Sequence, residues 1–168
     1  MRRAFVLVFA LALAALVTVP ALGGPPAQNN FQAHLSGANE VPPVDTNAQG
    51  QATFKLNDDE TSLDFMLIAS NILEVSQSHI HCGVPGVNGP VVAFLYGLTT
   101  PATGERFVGV LSEGTVTAAN VIPRPDSPAC PGGLADFDQL IARMRAGETY
   151  TNVHTTANPG GEIRGQNG

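Results

Sequence analysis

From Phe31 onward, clusters of glycine, proline, asparagine and aspartate divide the chain into short apolar segments. Segments of this length suit strands better than helices, and regular spacing of turn residues between them is typical of an all-β protein. The sequence therefore predicts an antiparallel β-sandwich or barrel of the immunoglobulin-like or superoxide-dismutase-like kind.

The apolar pattern places the expected strands at residues 31–36, 50–56, 62–69, 75–82, 91–96, 107–117, 148–155 and 161–166. In the second strand, Ala52, Phe54 and Leu56 alternate with polar residues, so they share the buried face. The third strand carries Met66 and Ile68 on the face opposite its other apolar residues. Apolar residues on both faces predict a strand covered on both sides.

One segment departs from the strand pattern. Its apolar residues recur at spacings of three and four, the signature of an amphipathic helix: Leu134, Phe137, Leu140, Ile141 and Met144. We therefore expect one short helix near residues 134–146, and Gly147 is suited to end it.

The N-terminus has the features of an export signal. Arg2 and Arg3 precede a short apolar run, and small residues follow, which predicts a signal peptide over residues 1–23. An uncleaved anchor is the alternative. Residues 24–30 would form a flexible leader and residues 31–167 one domain, secreted or periplasmic, with no membrane span after cleavage. The net charge of −6 argues against nucleic-acid binding.

The two cysteines, Cys82 and Cys130, fit an oxidising compartment. In an exported protein they predict one disulfide, which would fix the proline-rich loop around Cys130 to the end of the fourth strand. Two free thiols, or one thiol that binds a metal, are the alternatives.

Three of the four histidines lie in two strand-like segments. Alternation puts His79 and His81 on one face of their strand, opposite Ile80 and Cys82, which belong to the core. We expect the two histidines to face a cleft or solvent. If the His154 strand is a neighbour, the three imidazoles form a site for copper or zinc with an open position. Structural hydrogen bonding is the alternative.

Metal-bound histidines need partners for their second ring nitrogens. The polar candidates near the predicted site are Asn88, Tyr150, Asn152 and Glu162. His34 is a weaker candidate ligand. Arg164 lies in the last strand, where a carboxylate from Glu40 or Glu162 would form a structural ion pair with it.

Motifs of the common enzyme classes do not occur in the sequence. A nucleophile elbow, a phosphate-binding loop and a dinucleotide fingerprint are all lacking. No catalytic residue is therefore assigned, and a role other than catalysis is favoured.

Four blocks of sequence, in order, resemble the CHRD domain, the module named after chordin. They include residues 35–44 with Gly50 and Phe54, residues 79–83 and 86–92, residues 150–155, and residues 159–166. The resemblance implies an all-β extracellular domain without a settled biochemical activity. The cysteine-rich repeats of chordin are absent, so its growth-factor binding is not carried over.

A second resemblance concerns His79 and His81 at a strand end with His154 later in the chain, which is similar to the copper ligands of copper–zinc superoxide dismutase. The bridging histidine and zinc loop of that enzyme have no counterpart here. Three hypotheses follow: a metal-binding module, an interaction module whose loops 83–90 and 118–133 contact an extracellular protein partner, and a dismutase-like or oxidase-like metalloenzyme.

Overall fold

The structure, a computed structural model, describes residues 28–130 and 132–168. The expected signal peptide and residues 24–27 of the expected leader lie outside the described residues. The strands are β1 (Asn30–Ser36), β2 (Gln49–Leu56), β3 (Ser62–Leu73), β4 (Val75–Cys82), β5 (Val91–Tyr96), β6 (Arg106–Thr117), β7 (Thr149–Thr155) and β8 (Ile163–Gln166). One helix, α1 (Phe137–Arg145), and two short 3-10 turns complete the described secondary structure.

The eight strands form one antiparallel sheet in the order β5-β4-β7-β8-β1-β2-β3-β6. The sheet curls until its two end strands approach each other, where the Ser112 hydroxyl donates to the Leu95 carbonyl at 2.6 Å. The result is a nearly closed, barrel-like all-β fold, which confirms the predicted class. No helix among the described residues is long and apolar enough to cross a bilayer.

The core fills the inside of the curled sheet. In β2 the side chains alternate strictly between buried and exposed, with Ala52, Phe54 and Leu56 inside as predicted. Ile80 and Cys82 of β4 also lie in the core. Because alternate residues of a strand point to opposite faces, His79 and His81 must lie on the outer face of the sheet.

The prediction for β3 was wrong in one respect. The strand lies between β2 and β6, but Met66 and Ile68 are each 40% exposed. The described part of the chain leaves the outer face of β3 partly open at these two residues. Apolar residues on both faces of a strand thus did not indicate burial on both faces.

The predicted helix is present but shorter. It begins after Asp136, whose carboxylate accepts a hydrogen bond from the Gln139 backbone N–H at 2.9 Å, a regular N-cap. It ends at Arg145, and Gly147 adopts a φ of 67° immediately beyond. Leu134 belongs instead to a bridge with Arg124.

The predicted disulfide joins Cys82 to Cys130, with their Cα atoms 5.3 Å apart. It therefore fixes the loop before α1 to the end of β4, as the sequence indicated. Both cysteines are fully buried, and the alternatives of free thiols and of a cysteine metal ligand were wrong.

Candidate metal centre

The three histidines of the two predicted segments meet on the outer face of the sheet. β4 pairs with β7, and His79 lies directly opposite Asn152 while His81 lies opposite Tyr150. His154 follows Asn152 by two residues and therefore lies on the same face. One ring nitrogen from each histidine can be chosen so that all three atoms lie within 4.8 Å of one another.

The histidines do not face solvent, contrary to the sequence expectation. Their exposed fractions are 2% for His79, 8% for His81 and 5% for His154. The expectation failed because the outer face is covered here: loops reach over β4 and β7, and Phe94 of β5 packs edge-on against His79 with 4.4 Å between ring centroids. The site is therefore a closed cluster rather than an open cleft.

Backbone carbonyls fix the protonation of two of the rings. His81 Nδ1 lies 2.8 Å from the Gly89 carbonyl oxygen, and His154 Nδ1 lies 3.0 Å from the Pro159 carbonyl oxygen. A carbonyl only accepts, so each Nδ1 carries the proton and donates it. In the neutral ring the Nε2 atom then keeps its lone pair, which is the state that binds a metal.

The ring nitrogens that remain are the ones that meet. His79 Nδ1 lies 3.1 Å from His154 Nε2, close to the separation of about 3.3 Å expected for two nitrogens on one tetrahedral zinc. The Nε2 atoms of His79 and His81 are buried and have no hydrogen-bond partner among the described residues. Buried polar atoms without partners are uncommon and call for an explanation.

All three histidines are held neutral by burial. Desolvation, together with the neighbouring His154 and His81, lowers the pKa of His79 to about 3. Desolvation likewise lowers the pKa of His81 to about 4, against the opposing effect of the Gly89 carbonyl. Burial also lowers the pKa of His154. At neutral pH all three imidazoles are therefore neutral, and a metal does not have to compete with a proton that makes the ring cationic.

Aromatic and cationic groups form a stack behind His81. The Tyr150 ring stacks on the His81 ring, with 4.7 Å between centroids and 11° between planes. The Arg164 guanidinium carbon lies 3.3 Å from the centre of the same tyrosine ring, a cation–π contact. The tyrosine hydroxyl accepts from the Gly89 backbone N–H at 3.1 Å, so Tyr150 supports the residue whose carbonyl orients His81.

The other predicted partners of the site have different roles. Asn152 Oδ1 lies 3.0 Å from His154 Nε2, so this residue touches the cluster. Asn88 instead links Arg164 to the Val41 carbonyl. Glu162 lies outside the cluster and accepts hydrogen bonds from three other side chains, Thr46, Thr155 and Asn158.

The predicted ion pair of Arg164 does not form directly. The ion pairs of the described residues are Arg143–Glu148 and Arg145–Glu60. Arg164 donates instead to the Val87 carbonyl at 2.8 Å and to Asn88 Oδ1 at 2.9 Å. The loop that covers His81 therefore binds the Arg164 guanidinium, and the guanidinium makes no ion pair with the Glu40 carboxylate.

Glu40 is buried close to this arginine but not bonded to it. Burial raises the pKa of Glu40 to about 7, although the charge of Arg164 opposes the shift. Its Oε1 atom has no hydrogen-bond partner among the described residues.

His34 lies on the exposed side of β1, apart from the cluster. The sequence reasoning missed Gly89 and Pro159, whose carbonyls orient two of the rings. Their positions in turn-rich segments gave no sign of it, because every residue has a carbonyl. Phe94 was also missed: its strand, residues 91–96, was predicted, but the pairing of that strand with β4 was not.

Comparison with known proteins gives one result. No curated protein and no solved structure matches the chain. The family model of the CHRD domain matches residues 31–167, nearly all of the described chain. This confirms the resemblance seen in the sequence blocks, and the chain belongs to the CHRD domain family.

Proposed function

We propose that this CHRD domain binds one transition-metal ion, copper or zinc, through His79, His81 and His154, and that it does so outside the cytoplasm, as a secreted or periplasmic protein. The observation that carries the proposal is the convergence of three neutral imidazoles on one face of the sheet, with one ring nitrogen of each within 4.8 Å of the others, where the Nε2 of His81 has no other partner. Imidazole suits both metals. The disulfide and the extracellular character of the family favour an oxidising compartment.

The test is isothermal titration of the purified domain with zinc and with copper, compared with the His79→Ala/His81→Ala double variant. We expect one ion per chain in the natural protein and loss of that binding in the variant. The matched control is His34→Ala, which removes an exposed histidine and should leave the affinity unchanged. Unchanged affinity in the double variant would refute the proposal.

Metal content after export is a second, independent test. The domain purified from the exported fraction is loaded with copper or zinc, desalted and analysed by mass spectrometry. Retention of one equivalent, absent from the double variant, supports the proposal. No retained metal at any loading would count against it.

A second candidate function is a non-catalytic interaction module in which the histidines are structural. The observation that favours it is the closed cluster, in which Nδ1 atoms of two rings donate to backbone carbonyls. On this hypothesis His154→Ala should lower the melting temperature strongly in metal-free buffer. A variant with an unchanged melting temperature would argue against it.

A further inference from the structure

Asn152 lies at the centre of the outer face that carries the histidines. In the sheet register it is opposite His79 of β4 and opposite Arg164 of β8. Tyr150 and His154 precede and follow it by two residues, so they share its face. With 2% of its surface exposed, its amide is as enclosed as the imidazoles themselves.

The hydrogen-bond pattern leaves two acceptors facing each other. His154 donates its single ring proton from Nδ1 to the Pro159 carbonyl, so its Nε2 has only a lone pair. Asn152 Oδ1, also an acceptor, lies 3.0 Å from that Nε2. With the amide in this orientation no hydrogen atom lies between these two atoms, and the donor within reach of His154 Nε2 is His79 Nδ1, 3.1 Å away. A cation at this point would satisfy both acceptors.

The orientation of the Asn152 amide has a cause in the neighbouring residues. A methyl group on Gly161 would overlap Glu40 Oε1 and would lie 2.8 Å from Asn152 Nδ2. The amide nitrogen and the carboxylate oxygen therefore share the space beside Gly161. The amide nitrogen makes no hydrogen bond to Glu40 Oε1, but a reversed amide would turn its oxygen towards the Glu40 side chain, and that oxygen and an ionised carboxylate, both acceptors, would repel each other.

Gly161 is required at this place. Its φ of 125° is a conformation that residues with a side chain rarely adopt. Any β-carbon would also occupy the space of the Glu40 carboxylate. The sequence Gly160-Gly161-Glu162 thus permits a close approach of the Glu40 loop to the metal-binding face.

We infer that Asn152 Oδ1 is the fourth ligand of the metal, so that His79, His81, His154 and Asn152 form a closed site of three nitrogens and one oxygen. The inference rests on the proposed function. It differs from the sequence expectation of three ligands with an open position. Glu40 is a positioning residue, because it acts on the metal only through the orientation of the Asn152 amide.

A closed set of four protein ligands is typical of structural metal sites, whereas catalytic sites keep one position open. The bound metal therefore stabilises the covering loops and does not bind small anions. This consequence separates the closed site from a three-histidine site without reference to any enzymatic activity.

The experiment measures zinc affinity and azide binding to the copper-loaded protein in the natural domain and in two variants. Asn152→Ala removes the oxygen, and Asn152→Asp keeps one. We expect Asn152→Ala to lower zinc affinity by at least about tenfold and Asn152→Asp to retain it. We expect an azide-to-copper charge-transfer band in Asn152→Ala and none in the natural protein. Asn47→Ala, at an exposed position, is the control.

Glu40→Leu tests the positioning role. It frees the amide to reverse, and we expect an azide band to appear while the three histidines still hold the metal. Absence of the band in this variant would overturn the role of Glu40.

An azide band in the natural protein, with unchanged zinc affinity in Asn152→Ala, would overturn the fourth ligand and leave the histidine site intact. A failure of the proposed function gives a different result: if the histidines are not the ligands, metal remains bound in the His79→Ala/His81→Ala variant. If Asn152→Ala does not fold, Asn152→Leu, which has a similar volume and lacks the oxygen, takes its place, because the buried natural site would exclude azide with or without a fourth ligand.

Discussion

Acidification should destabilise the metal-free domain through its buried histidines. In the unfolded chain a histidine has a pKa near 6.5, whereas burial lowers the pKa of His79 to about 3 and that of His81 to about 4. At pH 5 the unfolded chain therefore binds two protons that the folded chain does not. By linkage, this difference in proton binding lowers the free energy of unfolding at pH 5, relative to pH 8, by about 2 kcal/mol for each histidine and about 4 kcal/mol for the pair.

The direction follows from the lowered pKa values. The stability is fully present above the unfolded pKa of 6.5 and is lost as the pH falls towards 3 to 4. The assay is urea unfolding in chelator-treated buffer at pH 8 and pH 5, monitored by circular dichroism. The variant His79→Gln/His81→Gln has no titrating group at these positions, so its loss of free energy of unfolding should be smaller by about 4 kcal/mol.

His34→Gln is the control, because His34 is exposed on β1. This variant should lose as much free energy of unfolding between pH 8 and pH 5 as the natural domain does. Other titrating groups contribute equally to the natural protein and to the variants, so the comparison isolates the pair. Equal losses in the natural protein and in the double variant would refute the account of buried neutral imidazoles.

Three further predictions concern the frame around the site. The disulfide joins residues 48 positions apart in the sequence. Its removal in Cys82→Ala/Cys130→Ala should lower the free energy of unfolding by about 4 kcal/mol in urea titrations. Glu40→Gln should stabilise the metal-free domain above pH 7 by about 1–3 kcal/mol, because the raised pKa of Glu40 shows that its ionised form is unfavourable in the folded state. Below pH 4.5 this gain in stability should vanish, and a pH series of melting curves measures it. Arg164→Lys should cost about 2–3 kcal/mol in the same urea assay, because an ammonium cannot both stack on Tyr150 and donate like the guanidinium fork.

The fold was readable from the sequence wherever one face of a strand is polar. β2 alternates without exception, and its buried face follows from Ala52, Phe54 and Leu56. β3 was not readable in the same way, because Met66 and Ile68 are apolar and yet partly exposed. Periodicity reports which residues share a face, but it does not report what covers that face.

The candidate site was predictable to the same depth. The i and i+2 spacing of His79 and His81 fixed their common face, and the pairing of β4 with β7 brought His154 beside them. The loops that bury these rings could not be predicted, because their course depends on contacts far apart in sequence. Arg164 illustrates this: its charge indicated a carboxylate partner, but in the structure it donates a hydrogen bond to the Val87 carbonyl of a loop.

The cost of the cluster is the strongest argument for a ligand. Each buried polar atom without a partner costs about 1–3 kcal/mol, and the Nε2 atoms of His79 and His81 are two such atoms on adjacent outward positions of β4. A purely structural role for these residues would leave that penalty uncompensated, and apolar side chains would fill the space at lower cost. One metal ion bound to His79 Nδ1, His154 Nε2 and His81 Nε2 would remove the second of these penalties, since each ring can give the ion only one nitrogen. The same atom that weakens the metal-free fold would then stabilise the metal-bound one.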